Sequence, residues 1–499
     1  MKSVISVLIL LAYPFFLLPQ EVLIPLVKNN YAKVTSYDEL SGYLQILDNQ
    51  SDLLSVSVIG KSVKSRNLYA MMFSSDNNWY NKSKISVLIF AQQHGNEQSG
   101  KEGALLLAKE LLKPENKYLF DKINLVIVPQ LNPDGSEVNE RRNTNNMDLN
   151  RNHLILTEPE TQALHQLFDK YQFEVTMDVH EYSPYGEAWQ KFGYRKNADI
   201  TVGTTTNLNV SEEIRRLSNE SYIPFIFKYL GTRGFSSFVY CPGGPPGIDY
   251  FRYSTFDIND GRQSLGIQNS VSFIQEGRNG IDNFVENIKH RAEGQMNGMR
   301  GLLEYTCLYK DKIDSLVSAE RHKLISLSAK QMVSIQSEHV VNGKTLMIPL
   351  YSYSTGKDSV FAVQDYRPVV KSLFDVQKPF GYLIPKKNSE LIDWVDRQAL
   401  LKFFYKEYSG FRIEKYTITE IDSIDFEGDI IVNPLVVKPT VVDLISPSDY
   451  LFIPTAQLKG NLIVLALEPK SMLGLITYKN FAYILRKGED FPVLRVVKK

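Results

Sequence analysis

Four apolar, β-branched runs each end in a polar residue suited to catalysis, and this pattern constrains the fold more than any other feature of the chain. SVLIFAQQ (86–93) runs into His94-Gly-Asn-Glu97, and INLVIVPQ (123–130) runs into Asn132-Pro-Asp-Gly135. FEVTMDVH (173–180) closes on His180, and VSFIQEG (271–277) carries Glu276. Short, continuous apolar runs of this kind read as strands covered on both faces. Between them, GKEGALLLAKELL and EPETQALHQLFDKY read as helices, the second with Pro in its first turn. The alternation from about Ser55 to Glu276 predicts an α/β domain, a mixed, largely parallel sheet flanked by helices. Ligands in open α/β sheets bind outside the carboxyl ends of the strands, so four polar ends there predict a single site.

The rhythm changes near residue 300. From Asn283 to about Ser328 a long helical stretch is expected to leave the sheet. Beyond it TLMIPLYSY, FGYLIP, EKYTITEI, DIIVNPLVV and NLIVLAL read as strands, and SELIDWVDRQALLKFFY reads as one helix. We therefore expect a catalytic domain over 21–310 and a β-rich accessory domain over 311–499; a chain of 499 residues exceeds one ordinary core. Residues 1–20, with one early Lys and a Pro-broken apolar run, read as a signal peptide or an uncleaved signal anchor. That implies an exported protein, secreted or periplasmic, which meets a membrane only through this segment if it stays uncleaved; a monomer is expected. Acidic and basic residues balance at 56 each, which removes any bulk argument for nucleic acid as partner. Two cysteines, Cys241 and Cys307, cannot supply a disulfide framework or a cysteine-rich metal site; they are either a pair formed after export or two buried thiols.

His94 and Glu97, three apart at a strand-to-helix turn, can converge on one ion, and His180 completes a two-His, one-Glu set. Such a set leaves a fourth position for water, as catalytic zinc sites do and closed structural sites do not. Glu276 is the spare carboxylate, placed to take a proton from that water. An isolated H-x-x-E is a weak signal; the other strand ends give it weight. His153, His165, His290, His322 and His339 lack such context and read as packed or solvent-facing. The segment NERRNTNNMDLNRN is too polar for core, and it places Arg141, Arg142, Asn150 and Arg151 where a guanidinium could meet a carboxylate or a developing oxyanion.

Taken in order, these motifs resemble the zinc carboxypeptidase family, the carboxypeptidase A-like metallopeptidases. The series is His94-x-x-Glu97, Asn132-Pro-Asp-Gly135, Arg141 ahead of Asp148-Leu-Asn150-Arg151-Asn152, His180-x-Tyr182 and Glu276, with VIGKSVKSRNLYAMMFS resembling the entry motif. The resemblance spans roughly residues 55 to 280. It implies one zinc ion held by His94, Glu97 and His180, with Glu276 as general base and acid. It also implies that Arg141, or its neighbour Arg142, polarises the scissile carbonyl, and that Asn150 and Arg151 bind the terminal carboxylate of a peptide or protein substrate. The family's mobile-loop Tyr has no assigned counterpart, since Tyr250 and Tyr253 share the Pro/Gly-rich segment YCPGGPPGIDYFRYSTF. The C-terminal third is similar to accessory regions of some bacterial-type members. Two other readings compete: a zinc amidase or deacylase acting on cell-wall peptides or acylated amino acids, and an inactive peptidase-fold binding protein, which would normally lack a ligand or the base.

Overall fold

The apolar runs lie side by side, because each has two faces to cover. A computed structural model describes residues 23–499 except 77, 78, 80, 82, 250, 283, 327–330, 408, 427, 428, 443 and 444; the expected export segment 1–20 and Tyr250 lie outside the described residues. Nine strands occupy the first half: β1 Leu54–Lys61, β2 Asn67–Phe73, β3 Ile85–Ala91, β4 Ile123–Val128, β5 Val175–Tyr182, β6 Tyr194–Lys196, β7 Ile200–Thr204, β8 Ser237–Val239 and β9 Val271–Arg278. All but β6 form one sheet in the order β1-β2-β4-β3-β5-β9-β7-β8. Its centre, β4-β3-β5-β9, is parallel throughout; β2 runs against both β1 and β4, and β7 runs against β9 but parallel to β8. This is the expected mixed, largely parallel sheet.

Side-chain alternation along β3 shows how the sheet is covered. Val87 and Ile89 pack with Ala104 and Leu105 of the helix Gln98–Leu111, whereas Leu88 and Phe90 pack with Leu164 and Phe168 of the helix Pro159–Tyr171. Successive strand residues point to opposite faces, so a run buried on both sides is apolar in an unbroken stretch rather than at alternate positions, as Val87 to Ala91 are. The long helical stretch is two helices, Ile288–Leu308 and Lys310–Ile325, joined at Tyr309.

The C-terminal part is rich in strands, among them a six-stranded sheet that includes Gly381–Pro385, Tyr450–Pro454 and Leu494–Lys498. Several expectations fail there. NLIVLAL is the helix Gly460–Leu467 rather than a strand, and every residue of it is buried. A helix enclosed on all sides is apolar on all sides and leaves no periodic signal. SELIDWVDRQALLKFFY is helical only over Ser389–Arg397; Ala399 takes a positive φ of 50°, and Phe403–Phe404 turns into a strand. EKYTITEI and DIIVNPLVV are each divided between two strands.

The two halves share one apolar cluster: Trp394, Leu462 and Ile476 belong with Leu154, Val87 and Phe273. Trp394 Nε1 donates to Leu154 O at 2.9 Å, and Gln398 Nε2 donates to the same carbonyl at 2.7 Å. β6 pairs with Leu346–Ser352, a strand from beyond the long helices. The two thiols are free and buried. Among the described residues no helix is long and apolar enough to cross a membrane.

Candidate metal centre

Because β4, β3, β5 and β9 are parallel neighbours, their carboxyl ends open on one edge of the sheet. His94 and Glu97 lie in the turn between β3 and the helix Gln98–Leu111, and His180 and Glu276 are on β5 and β9. In the register of these two strands His180 faces Glu276 directly. The relative exposures are 3% for His94, 6% for Glu97, 2% for His180 and 8% for Glu276.

His94, Glu97 and His180 each offer a ligand atom within 4.8 Å of the others'. The carboxylate of Glu97 lies between the imidazoles, 2.7 Å from His94 Nδ1 through Oε1 and 2.9 Å from His180 Nδ1 through Oε2. The opposite ring nitrogens are held from behind, His94 Nε2 at 3.1 Å from Asp148 Oδ1 and His180 Nε2 at 2.8 Å from Asp178 Oδ1. Both rings therefore present Nδ1 to the same space as the Glu97 carboxylate. Two imidazole nitrogens, each ring oriented by a carboxylate behind it, and one carboxylate make a donor set suited to a borderline metal ion.

The electrostatics follow from burial and close charges. Burial opposes the charged form of Glu97, yet His94 and His180 hold its carboxyl well below the usual range. Burial likewise opposes charge on His180, but Asp178 and Glu97 raise it well above the usual histidine value. Glu276 is pushed up, first by burial and then by the negative charge of Glu97, against the pull of His180 and His94.

The turns carrying these groups are wedged together by glycine. A Cβ at Gly95 would lie 2.2 Å from Gly135 C and 2.5 Å from Glu140 O, so the His94-Gly-Asn-Glu97 and Asn132-Pro-Asp-Gly135 turns touch backbone to backbone. Asn132 Oδ1 accepts from Gly135 N at 2.9 Å, and its Nδ2 donates to Gln93 O at 3.1 Å. Asp134, fully buried, accepts from Arg66 Nη1 at 2.6 Å and Ser62 Oγ at 2.9 Å, which ties the β1–β2 turn to this wedge. The Asn-Pro-Asp-Gly motif is thus a brace beside the site.

Arg141 reaches the cluster: Nε donates to Asp148 Oδ2 at 3.0 Å, and Nη1 lies 3.0 Å from His94 Nδ1. Arg142 instead donates to Asn146 O at 3.0 Å. Asn150 is buried, and its Oδ1 accepts from Gly261 N at 2.8 Å, with Nδ2 3.4 Å from His180 Nε2. Arg151 is exposed and donates to Asn150 O at 2.8 Å. Tyr253 is packed away, its hydroxyl donating to Asn219 Oδ1 at 2.8 Å.

Sequence reasoning missed the residues behind the ligands. Gln93 Nε2 donates to Asp178 Oδ2 at 2.8 Å, and His153 Nε2 lies 2.7 Å from Gln93 Oε1. His153 Nδ1 in turn lies 3.0 Å from His165 Nε2. His153 and His165 are packed, as expected, but within a polar chain ending at His180. Asp178 was legible as Asp-x-His in a strand, since residues two apart share a face. Glu181, on the other face, accepts from Ser99 N at 3.0 Å and pairs with Arg291 at 2.9 Å, anchoring the first turn of the helix after Glu97.

Comparison with known proteins adds an independent line. Residues 41–222 match the family model described as zinc carboxypeptidase. Carboxypeptidase 2 of Trichophyton rubrum is 23% identical over 486 residues, covering 93% of this chain and 86% of that protein. Carboxypeptidase D of Mus musculus is 27% identical over 286 residues, covering 50% of this chain and 21% of that protein. A crystal structure of a metallo-carboxypeptidase from Burkholderia cenocepacia aligns with a TM-score of 0.43 at 18% identity, over 55% of this chain and 69% of that one. The chain therefore carries a domain of the zinc carboxypeptidase family and is a peptidase-class enzyme, with His94, Glu97 and His180 inside the matched segment.

Proposed function

We propose that this protein is an exported zinc carboxypeptidase that hydrolyses C-terminal peptide bonds, with residues 311–499 as an accessory domain that braces the catalytic one. The observation that carries the reading is the convergence of His94 Nδ1, His180 Nδ1 and the Glu97 carboxylate beside Glu276. These three residues would hold a zinc ion, which when bound would supply Lewis acidity to acidify a water near neutral pH and to polarise a carbonyl. Glu276 takes the proton from the attacking water and returns it to the leaving amine. Arg141, next to Glu97 and Asp148, offers its guanidinium to the charge that develops on the carbonyl oxygen. Asn150, whose Oδ1 is occupied by Gly261 N and whose Nδ2 also faces His180 Nε2, has one hydrogen of Nδ2 left for the terminal carboxylate, and the exposed Arg151 adds a second, charged donor.

The test is a ladder of free-carboxylate, amidated and N-acylated substrates offered to purified, zinc-loaded protein, followed by mass spectrometry with and without chelator. Chelator-sensitive trimming restricted to free C-termini is expected. Turnover of acylated amino acids alone would move the chain to the amidases and deacylases. A native protein with no zinc in metal analysis would make it a binding protein.

A further inference from the structure

Beside Glu276 lies a half-open cavity of about 190 Å³ whose walls include Tyr182, Phe238, Tyr240 and Ile348, and which also holds Lys196. Lys196 ends β6, where its backbone is fixed by pairing with Leu350. Its side chain runs past the rings of Trp189 and Phe251, with Nζ 5.6 Å and 5.4 Å from their centroids. Nζ donates to Cys241 O at 2.7 Å, and among the described residues no carboxylate lies within ion-pairing distance of it. An ammonium has three donors. A neutral carbonyl satisfies one of them; Glu276 and Asp249 act on the ammonium only from beyond ion-pairing distance, so a cation among aromatic rings keeps a desolvation cost that an entering anion in direct contact would offset.

Glu276 limits what that anion can be. If Glu276 is the general base, as proposed above, the scissile bond must lie within hydrogen-bonding reach of its carboxylate. The neighbouring cavity then receives a side chain from a residue flanking that bond, and its volume holds one side chain and little more. Apolar walls suit methylene groups, and the cation suits a terminal carboxylate. We propose that Lys196 is a specificity-determining residue that selects substrates with an acidic side chain, Glu before Asp, next to the bond cleaved. This rests on the carboxypeptidase reading and deepens it.

Zinc-loaded protein would be assayed on two peptide series, one varying the last residue among Glu, Gln, Leu and Lys, the other varying the penultimate residue in the same way. The expected result is a Glu-over-Gln preference in kcat/KM of about tenfold to a hundredfold in one series, the scale of a hydrogen bond to a charged group. The responding series identifies which flanking residue enters the cavity. Lys196→Met should bring the ratio close to one, Lys196→Arg should retain a preference, and Lys196→Glu should favour Lys. Cleavage without acidic preference in either series overturns the proposal and leaves the carboxypeptidase reading standing, with no need of a variant. So does a Lys196→Met enzyme slowed equally on every peptide, since Lys196 would then act through Glu276. Failure to cleave any peptide overturns both.

Discussion

His180 and Glu276 face each other across β5 and β9, the proposed ligand and the proposed base on neighbouring parallel strands. Paired residues of parallel strands project from the same face, so the sheet itself sets the distance between the proposed ligand and the proposed base, and no loop has to fold to bring them together. Glu276 is not one of the three converging ligands. Glu276→Gln should therefore bind zinc at the wild-type ratio while kcat falls by about 10² to 10⁴-fold, the usual contribution of a general base. Metal content and steady-state rates, measured on the same sample, decide it; loss of zinc in the variant would make Glu276 a ligand.

Asp178 holds His180 Nε2 at 2.8 Å and is itself held by Gln93. Carboxylates behind metal-bound histidines fix the ring's tautomer and orientation, and their loss typically weakens metal affinity by about 10 to 100-fold. Asp178→Asn should show that loss in a competitive zinc titration. The folded protein should keep its melting temperature in excess zinc, which separates positioning from a general loss of structure.

Gly95 stands where two backbones meet. A Cβ there would overlap Gly135 C at 2.2 Å, so Gly95→Ala must push the His94 and Glu97 turn away from its brace. We expect a stability loss of about 1–3 kcal/mol, typical of overpacking, and zinc binding weakened beyond that seen for an alanine at the exposed, uncrowded Gly231. Urea denaturation and zinc titration of both variants test this.

Trp394, fully buried, donates to Leu154 O three residues after Arg151. Trp394→Ala removes a large apolar side chain and that hydrogen bond, and about 3–5 kcal/mol of stability should be lost. If the C-terminal part braces the substrate-binding loop, KM for free-carboxylate peptides should rise as well. A variant destabilised at unchanged KM would confine Trp394 to packing.

Stability should decline in mild acid for an identifiable reason. Burial lowers the pKa of His153 to about 4, against about 6.5 in an unfolded chain. Between those values the unfolded chain binds a proton that the folded protein does not. His153 therefore contributes fully above pH ~6.5, and its contribution is lost as pH falls towards 4, by about 3 kcal/mol over the whole window. Denaturant melts at pH 7.5, 6 and 5 should show the decline, and His153→Gln should make it shallower, with the buried His165 and His339, both held below the usual histidine value by burial, keeping the remainder. An equally steep variant would assign the acid sensitivity elsewhere.

The parallel centre of the sheet, and the edge on which its polar groups meet, were legible because β3 and β4 are apolar at nearly every position, β5 and β9 begin as β-branched or aromatic runs, and each runs into its polar group. His94, Glu97 and His180 could be named together for the same reason: each motif is local, and the ends of parallel neighbours share an edge. Gly460–Leu467 shows the limit, since complete burial erases the periodicity that separates helix from strand. Arg141 and Arg142 are chemically equivalent in the sequence, and only the fold turns one toward Asp148 and the other toward Asn146. Gly95 against Gly135, Trp394 under Leu154 and Lys196 beside Glu276 were likewise decided by tertiary structure. The sequence by itself determined which chemistry each strand end could offer, because residue type and strand period are local properties. Which groups stand behind that chemistry, and what enters beside it, depends on contacts between segments tens to hundreds of residues apart, and those exist only once the chain has closed.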